Sequence, residues 1–173
     1  MSDFQLFQIT STILPNILLA KGAFGGMGAF MDGNYNMTSP VIGPQISGFR
    51  DVDFSFTVNN RNTDFTVNNV FSPGGIISNV VYPEDGGRKQ FVVQVKTYSA
   101  KSKYVLKGIL DGFDQIIPKG GSSSDVIPVL YVDYGAFMAA YSQSPDKINA
   151  KTRSLNAAGG IVVLQRGLDE KAR

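Results

Sequence analysis

The sequence predicts a mainly β domain of the α+β class: an antiparallel β-sandwich or open barrel with one main helix and an apolar N-terminal arm. Residues 51–71 alternate apolar and polar side chains with the period of a strand. Residues 101–117 change to the spacing of three and four that is typical of an amphipathic helix. With 173 residues and 43% apolar content, the chain can bury the core of one domain.

Two similar strands are expected within residues 51–71. Phe54, Phe56 and Val58 alternate with Ser55 and Thr57, and the five-residue sequence Phe-Thr-Val-Asn-Asn occurs twice in this segment. The residues between the two copies are rich in Asn, Thr and Arg, which is typical of a turn. We therefore expect an antiparallel hairpin whose Phe and Val face packs against another part of the chain, because an isolated hairpin is marginal in water.

Turn signals and further periodic segments define the rest of the domain. Pro- and Gly-rich turns are expected at 72–75 and 83–87. The expected further strands are 76–82, 88–99, 126–134 and 160–165, the expected helices are 101–117 and 135–141, and the expected irregular connections are 32–50 and 142–158. Gly108 and Gly112 each cost the main helix about 1 kcal/mol relative to Ala. Val92 breaks the polar face of the strand 88–99, which indicates that this face is also covered.

The chain divides into an apolar glycine-rich arm (1–31), a β-rich domain (32–166) and a charged tail (167–173). Pro15, Asn16 and Lys21 interrupt the apolar run of the arm, and no basic segment precedes it. Neither a transmembrane helix nor a secretory signal is therefore expected. The arm is either part of the core or an adhesive segment that lies on a neighbouring subunit.

Apolar side chains alternate with glycines in the second half of the arm, and more follow in the next connection. A flexible apolar segment of this kind is typical of a surface that contacts another protein. The candidate interface residues are Phe24, Met27, Phe30, Met31, Tyr35 and Met37.

The composition argues against most enzyme classes. The chain has no Cys and no His, so disulfides, Cys-His pairs and Ser-His-Asp triads are excluded, and the commonest general base is missing. No catalytic residue, metal site or cofactor is predicted, and a small-molecule substrate is not expected. The protein is predicted to be non-enzymatic.

Two pairs of carboxylates and one basic cluster are the remaining chemical candidates. Asp51 with Asp53, and Asp111 with Asp114, could each hold a hard cation or act as acid and base, but solvated surface carboxylates are the favoured interpretation. Lysines interleaved with tyrosines between residues 96 and 107 could contact a nucleic acid backbone. The acidic N-terminal half repels phosphate, so nucleic acid is not expected as a specific ligand.

Charge is sparse and unevenly distributed along the chain. Charged residues make up 17% of the sequence, below the usual value of about 25%. Residues 1–87 carry three bases and seven acids, a net charge of −4, whereas residues 88–173 carry thirteen bases and seven acids, a net charge of +6. This asymmetry is either an ordinary solvated basic face or an attraction between opposite surfaces of neighbouring copies.

In the order of its elements, the segment 50–165 resembles the tail-tube type fold of bacteriophage and related contractile machines. In that fold, subunits form rings by sheet-to-sheet contacts and stack through loops and arms. The resemblance implies a structural subunit of a phage virion, such as a tail-tube or baseplate component, made in the host cytoplasm. Its partners would be copies of itself and other structural proteins of the particle, and no functional residue carries over.

Low charge, the missing catalytic residues and the apolar arm agree with a subunit that buries much of its surface against its own copies. The alternative from another class is a monomeric β-barrel binding module for an apolar ligand or a membrane surface.

Deletion of residues 1–31 separates the two roles of the arm. If the arm is an interface, the truncated chain keeps its cooperative unfolding transition but no longer associates, as measured by light scattering. If the arm belongs to the core, the truncated chain loses the cooperative transition itself.

Overall fold

The computed structural model describes residues 31–33, 36–59, 64–83, 88–120 and 125–168, which form one mixed α/β unit, mostly strand. The strands are β1 (Met31–Gly33), β2 (Asn36–Met37), β3 (Val41–Ile42), β4 (Phe54–Asn59), β5 (Phe65–Ser72), β6 (Ile76–Tyr82), β7 (Arg88–Lys96), β8 (Val126–Asp133) and β9 (Ile161–Gln165). The helices of these ranges are α1 (Val105–Ile116), α2 (Tyr134–Gln143) and α3 (Pro145–Ala157).

All nine strands belong to one sheet. Seven strands follow the order β1-β5-β9-β8-β7-β4-β2, while β3 pairs with β4 and β6 pairs with β5. The sheet is not closed by strand pairing within the described residues, so the predicted choice between a sandwich and an open barrel is not decided by the pairing.

The two Phe-rich strands form as predicted, but the predicted hairpin between them is wrong. β4 pairs with β7 along one edge and with the short β2 and β3 along the other. β5 pairs with β6 on one side, and with β1 and then β9 on the other. The alternation identified the strands correctly, but both edges of each strand are taken by other partners.

The centre of the sheet is parallel, which corrects the prediction of an antiparallel sheet. β7 pairs with β8, and β8 with β9, in parallel register, whereas the other pairs are antiparallel. Parallel neighbours need a long crossover, and here α1 links β7 to β8 while α2 and α3 link β8 to β9. The single main helix of the prediction is therefore one of three in the part of the chain that the structure describes.

One face of the sheet curls around an aromatic core, which we call the inner core. The rings of Phe65 on β5 and Phe91 on β7 lie 6.0 Å apart, although β9 and β8 stand between those strands. Three strand spacings would separate them by about 14 Å in a flat sheet. Phe56 stacks on Phe91 at 5.1 Å, and Tyr82 stacks on Phe65 at 4.9 Å. The strong curl brings distant strands into contact.

The three helices cover the opposite face and form the outer core. Val92, predicted to mark a covered second face, is fully buried there, which confirms that prediction. Phe113 of α1 and Phe137 of α2 pack against each other, and Phe137 contacts Phe71 of β5 at 4.6 Å. β8 and β9 are thus buried on both faces, as parallel strands normally are.

The polar connection predicted at 142–158 is wrong, because most of it is α3. Pro145 occupies the start of the helix and Asp146 lies in its first turn, both of which are favourable there. Ile148, Thr152 and Leu155 form its buried face at helical spacing. The sequence contains this pattern, but the segment has so few apolar residues that its composition is also typical of a loop.

Short strands and buried residues also modify both ends of the predicted domain. The connection 32–50 contains β2, β3 and most of β1, and its later part packs on the end of α1, where Lys119 N–H donates to Gly48 O at 2.9 Å. Leu168, within the segment predicted as a charged tail, is buried in the inner core, and its N–H donates to Asp133 Oδ1. Among the described helices, none combines the length and apolar character that crossing a bilayer requires.

The glycines that weaken α1 allow it to approach the sheet closely. A Cβ at Gly108 would overlap the ring of Tyr98, and one at Gly112 would lie 3.0 Å from Leu130 Cδ1. Both glycines are buried beside Ile109 and Phe113. A larger residue therefore does not fit at Gly108 unless Tyr98 moves, and at Gly112 it would be tightly packed.

Gly108→Ala tests this close packing. Helix propensity alone predicts stabilisation by about 1 kcal/mol, whereas overlap with Tyr98 predicts destabilisation of about 1–3 kcal/mol, and we expect the net effect to be destabilising. In a Tyr98→Ala background the overlap is gone, so the same substitution should stabilise the chain. Urea unfolding of the four proteins measures the coupling, and equal effects in both backgrounds would contradict it.

Candidate interaction surface

β6 is an edge strand with an exposed apolar surface. Within the described residues it pairs with β5 alone, so its other edge presents unpaired backbone groups. Ile76 is 61% exposed, Ile77 40% and Val81 55%. These are three of the five large apolar side chains exposed in the described part of the chain. The apolar exposure is therefore concentrated on this one strand.

The residues of β6 carry none of the features that normally protect a strand edge. The strand reads Ile-Ile-Ser-Asn-Val-Val-Tyr, with no charged residue and no proline. Natural sheets protect their edges with lysines, prolines, bulges or very short strands, because an open edge is a template for another chain. The irregularity in this hairpin is a bulge on the β5 side, where Asn69 has φ +59° and the register with β6 shifts. β6 itself continues without interruption.

The opposite end of the sheet is protected. There β4 is covered by β2 and β3, which have two residues each and are separated by a segment containing Pro40. Val41 is 58% exposed at this end, but the strand that carries it, β3, has only two residues. The two edges of the sheet thus differ. The edge at β4 is covered by two strands of two residues each, whereas the edge at β6 is a continuous, uncharged strand of seven residues.

The turn that leads into β6 is fixed to the helical layer. Gly74 and Gly75 have φ of +90° and +83°, conformations that favour glycine. The N–H of Gly74 donates to Asn149 Oδ1 of α3 at 3.0 Å, and Gly75 lies against the ring of Tyr141. The turn is therefore joined to the helical layer at the point where β6 begins.

The interface residues predicted from the sequence lie mostly outside the described ranges. Phe24, Met27, Phe30 and Tyr35 are among residues that the structure does not describe. Met31 begins β1, where it pairs with Val67, and Met37 is partly buried against the inner core. Their role in an interface stays a prediction, and β6 was not among the candidates.

The two predicted carboxylate pairs occupy different settings. Asp114 forms an ion pair with Lys151, which joins α1 to α3, and Asp111 is exposed on α1. Asp51 and Asp53 precede β4, beside an open cleft of about 780 Å³ that the 42–53 segment lines. Within the described ranges, no group of three or more acidic residues is placed to hold a metal ion.

Asp53 secures the segment before β4 to the end of β7. Its Oδ2 accepts a hydrogen bond from Val95 N–H at 2.7 Å, and its own N–H donates to Val93 O at 3.0 Å. Burial raises the pKa of the Asp53 carboxyl above its ordinary value of 3.8; the Val95 hydrogen bond and the charge of Lys96 oppose this shift, and the charge of Asp51 adds to it. The geometry is that of a structural latch.

The predicted basic cluster is dispersed over several elements. Lys96 lies along Gly112 of α1, whereas Lys101, Lys103 and Lys107 are exposed. Lys103 is placed over the ring of Tyr104, 5.1 Å from its centroid. These contacts are ordinary surface packing of long cationic side chains.

Comparisons with protein-family models, with curated proteins and with solved structures found no match to this chain.

Replacement of Asp53 by Asn tests the latch through its pH dependence. The folded chain holds the Asp53 proton more tightly than the unfolded chain, so ionisation lowers the free energy of unfolding as pH rises from about 3.9 through the raised pKa. The amide keeps an acceptor for Val95 N–H but does not titrate. We therefore expect Asp53→Asn to gain stability relative to the native sequence as pH rises from about 4 to about 7.

Urea unfolding at several pH values measures this difference. Asp111→Asn makes the same change of charge on an exposed helix surface and serves as the control. A difference between Asp53→Asn and the native chain that stays constant, or falls with rising pH, would contradict the role of burial.

Proposed function

We propose that this chain is a non-enzymatic structural subunit that assembles with copies of itself into a larger particle. The element order predicted from the sequence resembles that of tail-tube proteins, so the particle we propose is a phage virion, with the chain made in the host cytoplasm. Other structural proteins of the particle would be its further partners. Of the two predicted architectures we favour the open barrel, because rings from β5 and β7 meet across the concave face.

The observation that carries this proposal is the open edge of β6. A strand added there would pair the free N–H and C=O groups of β6 and cover Ile76, Ile77 and Val81 together. Cross-strand pairs of β-branched side chains each contribute about 0.2–1 kcal/mol, in addition to the burial of their apolar surface. These new pairs, and the burial of the surface that the folded chain leaves exposed, are gained only on association.

The composition of the inner core favours assembly over the alternative of a module that binds an apolar ligand. Phe56 and Phe91 stack with their ring planes 4° apart, and Phe54, Phe65 and Phe91 are fully buried. Rings in mutual contact fill the concave face of the sheet with protein atoms. This is the packing expected of a structural core.

Lysine substitutions on β6 test the proposal. We expect the native chain to show a mass well above that of a single chain by light scattering, with rings, tubes or other regular particles in negative-stain images. The double substitution Ile77→Lys and Val81→Lys places two charges on the open edge and should abolish assembly. Because Val81 is 55% and Ile77 40% exposed, part of each side chain is already in water, and the free energy of unfolding should fall by no more than about 1 kcal/mol per site.

Val41→Lys is the matched control, since Val41 is 58% exposed at the opposite end of the sheet. It should leave assembly intact. A native chain that stays monomeric over a wide range of concentration would overturn the proposed function. If assembly survives the β6 double substitution but is lost in Val41→Lys, the contact between copies lies at the opposite end of the sheet and not at β6.

A further inference from the structure

The sequence of β6 is complementary to itself when two copies run antiparallel. We infer that two chains join edge to edge through β6, about a two-fold axis at Asn79, so that one sheet continues across both copies. This inference rests on the proposed function and names its first contact. Its partner is a second copy of this chain.

Antiparallel pairing centred on Asn79 matches four of the five apolar residues of β6 with apolar residues, and the fifth, Val80, lies opposite Ser78. Ile77 of one copy lies opposite Val81 of the other, and Ile76 lies opposite Tyr82. Because a two-fold axis repeats every pair, four of the seven cross-strand positions are apolar on both sides. Ile77 and Val81, the two exposed apolar residues on one face of β6, then cover each other at both ends of the contact.

The central position is also compatible with itself. Asn79 is exposed, and its amide carries both a donor and an acceptor, so two copies facing each other can exchange hydrogen bonds. A Lys or Asp at that position would face its own charge, which destabilises directly opposed pairs. β6 has no charged residue, so no position in this pairing brings like charges together.

Neighbouring registers are less favourable. A two-fold axis at Ser78 would place Ile77 opposite Asn79 and leave Val81 and Tyr82 beyond the paired region. An axis at Val80 would instead leave Ile76 and Ile77 beyond it. The register centred on Asn79 is the one that uses all seven residues of the strand.

A two-fold contact of this kind closes on itself and produces a dimer. Growth beyond the dimer therefore needs a second surface elsewhere on the chain. We infer that the β6 dimer is the unit from which the proposed particle is built.

The absence of cysteine from the sequence allows a direct test by disulfide cross-linking. Facing residues of an antiparallel pair have Cα atoms about 4.5–5.5 Å apart, which is within the range of about 4.4–6.8 Å that a disulfide bridges. Asn79→Cys should therefore give disulfide-linked dimers on mild oxidation of the native assembly. Ile77→Cys alone should not, because its copy lies four residues, about 13 Å, along the partner strand.

Mixing Ile77→Cys with Val81→Cys brings facing positions together, so the mixed pair should cross-link although neither variant does so alone. Ser154→Cys, an exposed position on α3, reports cross-linking by random collision. Light scattering before oxidation measures the association state of every variant.

The outcomes separate this inference from the proposed function. Efficient linkage at Asn79→Cys and in the mixed pair, with Ile77→Cys and Ser154→Cys unlinked, supports the two-fold contact. Assemblies that form normally but link at Ile77→Cys, or at no β6 position, overturn the β6 dimer while the structural role stands. Variants and native chain that are all monomeric overturn both.

Discussion

The structure depends on a sheet whose central strands are buried on both faces. β8 and β9 have a helical layer on one side and the aromatic inner core on the other, so neither face can be left to water. In this chain the sheet curls until the rings of Phe65 and Phe91 meet, so side chains from strands on opposite sides of the curl bury the inner face of the sheet. The helices then need to protect only the outer face, and the glycines of α1 allow that layer to lie close.

A sheet that curls without closing keeps two edge strands. In the described residues one of these edges is covered by short strands and the other is open. At β4 the edge is covered by two-residue strands and a proline-containing segment, which limits how far another strand could pair. At β6 the edge stays open for seven residues, on a turn that Asn149 and Tyr141 hold against the helices. Firm positioning of an unprotected edge is the arrangement that suits a partner strand.

Much of the fold could be predicted from the sequence because the spacing of apolar residues indicates whether a segment forms a strand or a helix. The strands near 54, 65 and 88 and the helix near 105 have a clear period, the strands near 76, 126 and 161 are short apolar runs, and the structure contains them all. Period does not report which strands become neighbours. For that reason the repeated sequence at Phe56 and Phe65 suggested a hairpin, although β4 and β5 have other partners. The parallel pairing at the centre of the sheet could not be predicted from the spacing either.

The candidate surface was harder to predict for a physical reason. Ile, Val and Tyr make a strand whether it is buried or lies at an edge, so the composition of 76–82 is equally consistent with a core strand. What distinguishes β6 is that no second strand pairs with it in the described part of the chain, which is a property of topology. The one available signal was the lack of charge in a strand between two strong turns, and many buried strands share it.

The exposed residues of β6 separate folding from association. In the single chain Val81 is 55% and Ile77 40% exposed, so part of their apolar surface adds nothing to the free energy of unfolding, and its burial in the proposed strand pairing would stabilise only the associated state. The residues of the inner core behave in the opposite way, since Phe56 and Phe91 are buried before any partner arrives. A chain arranged in this way can fold first as a monomer and associate afterwards, with its concentration setting the balance.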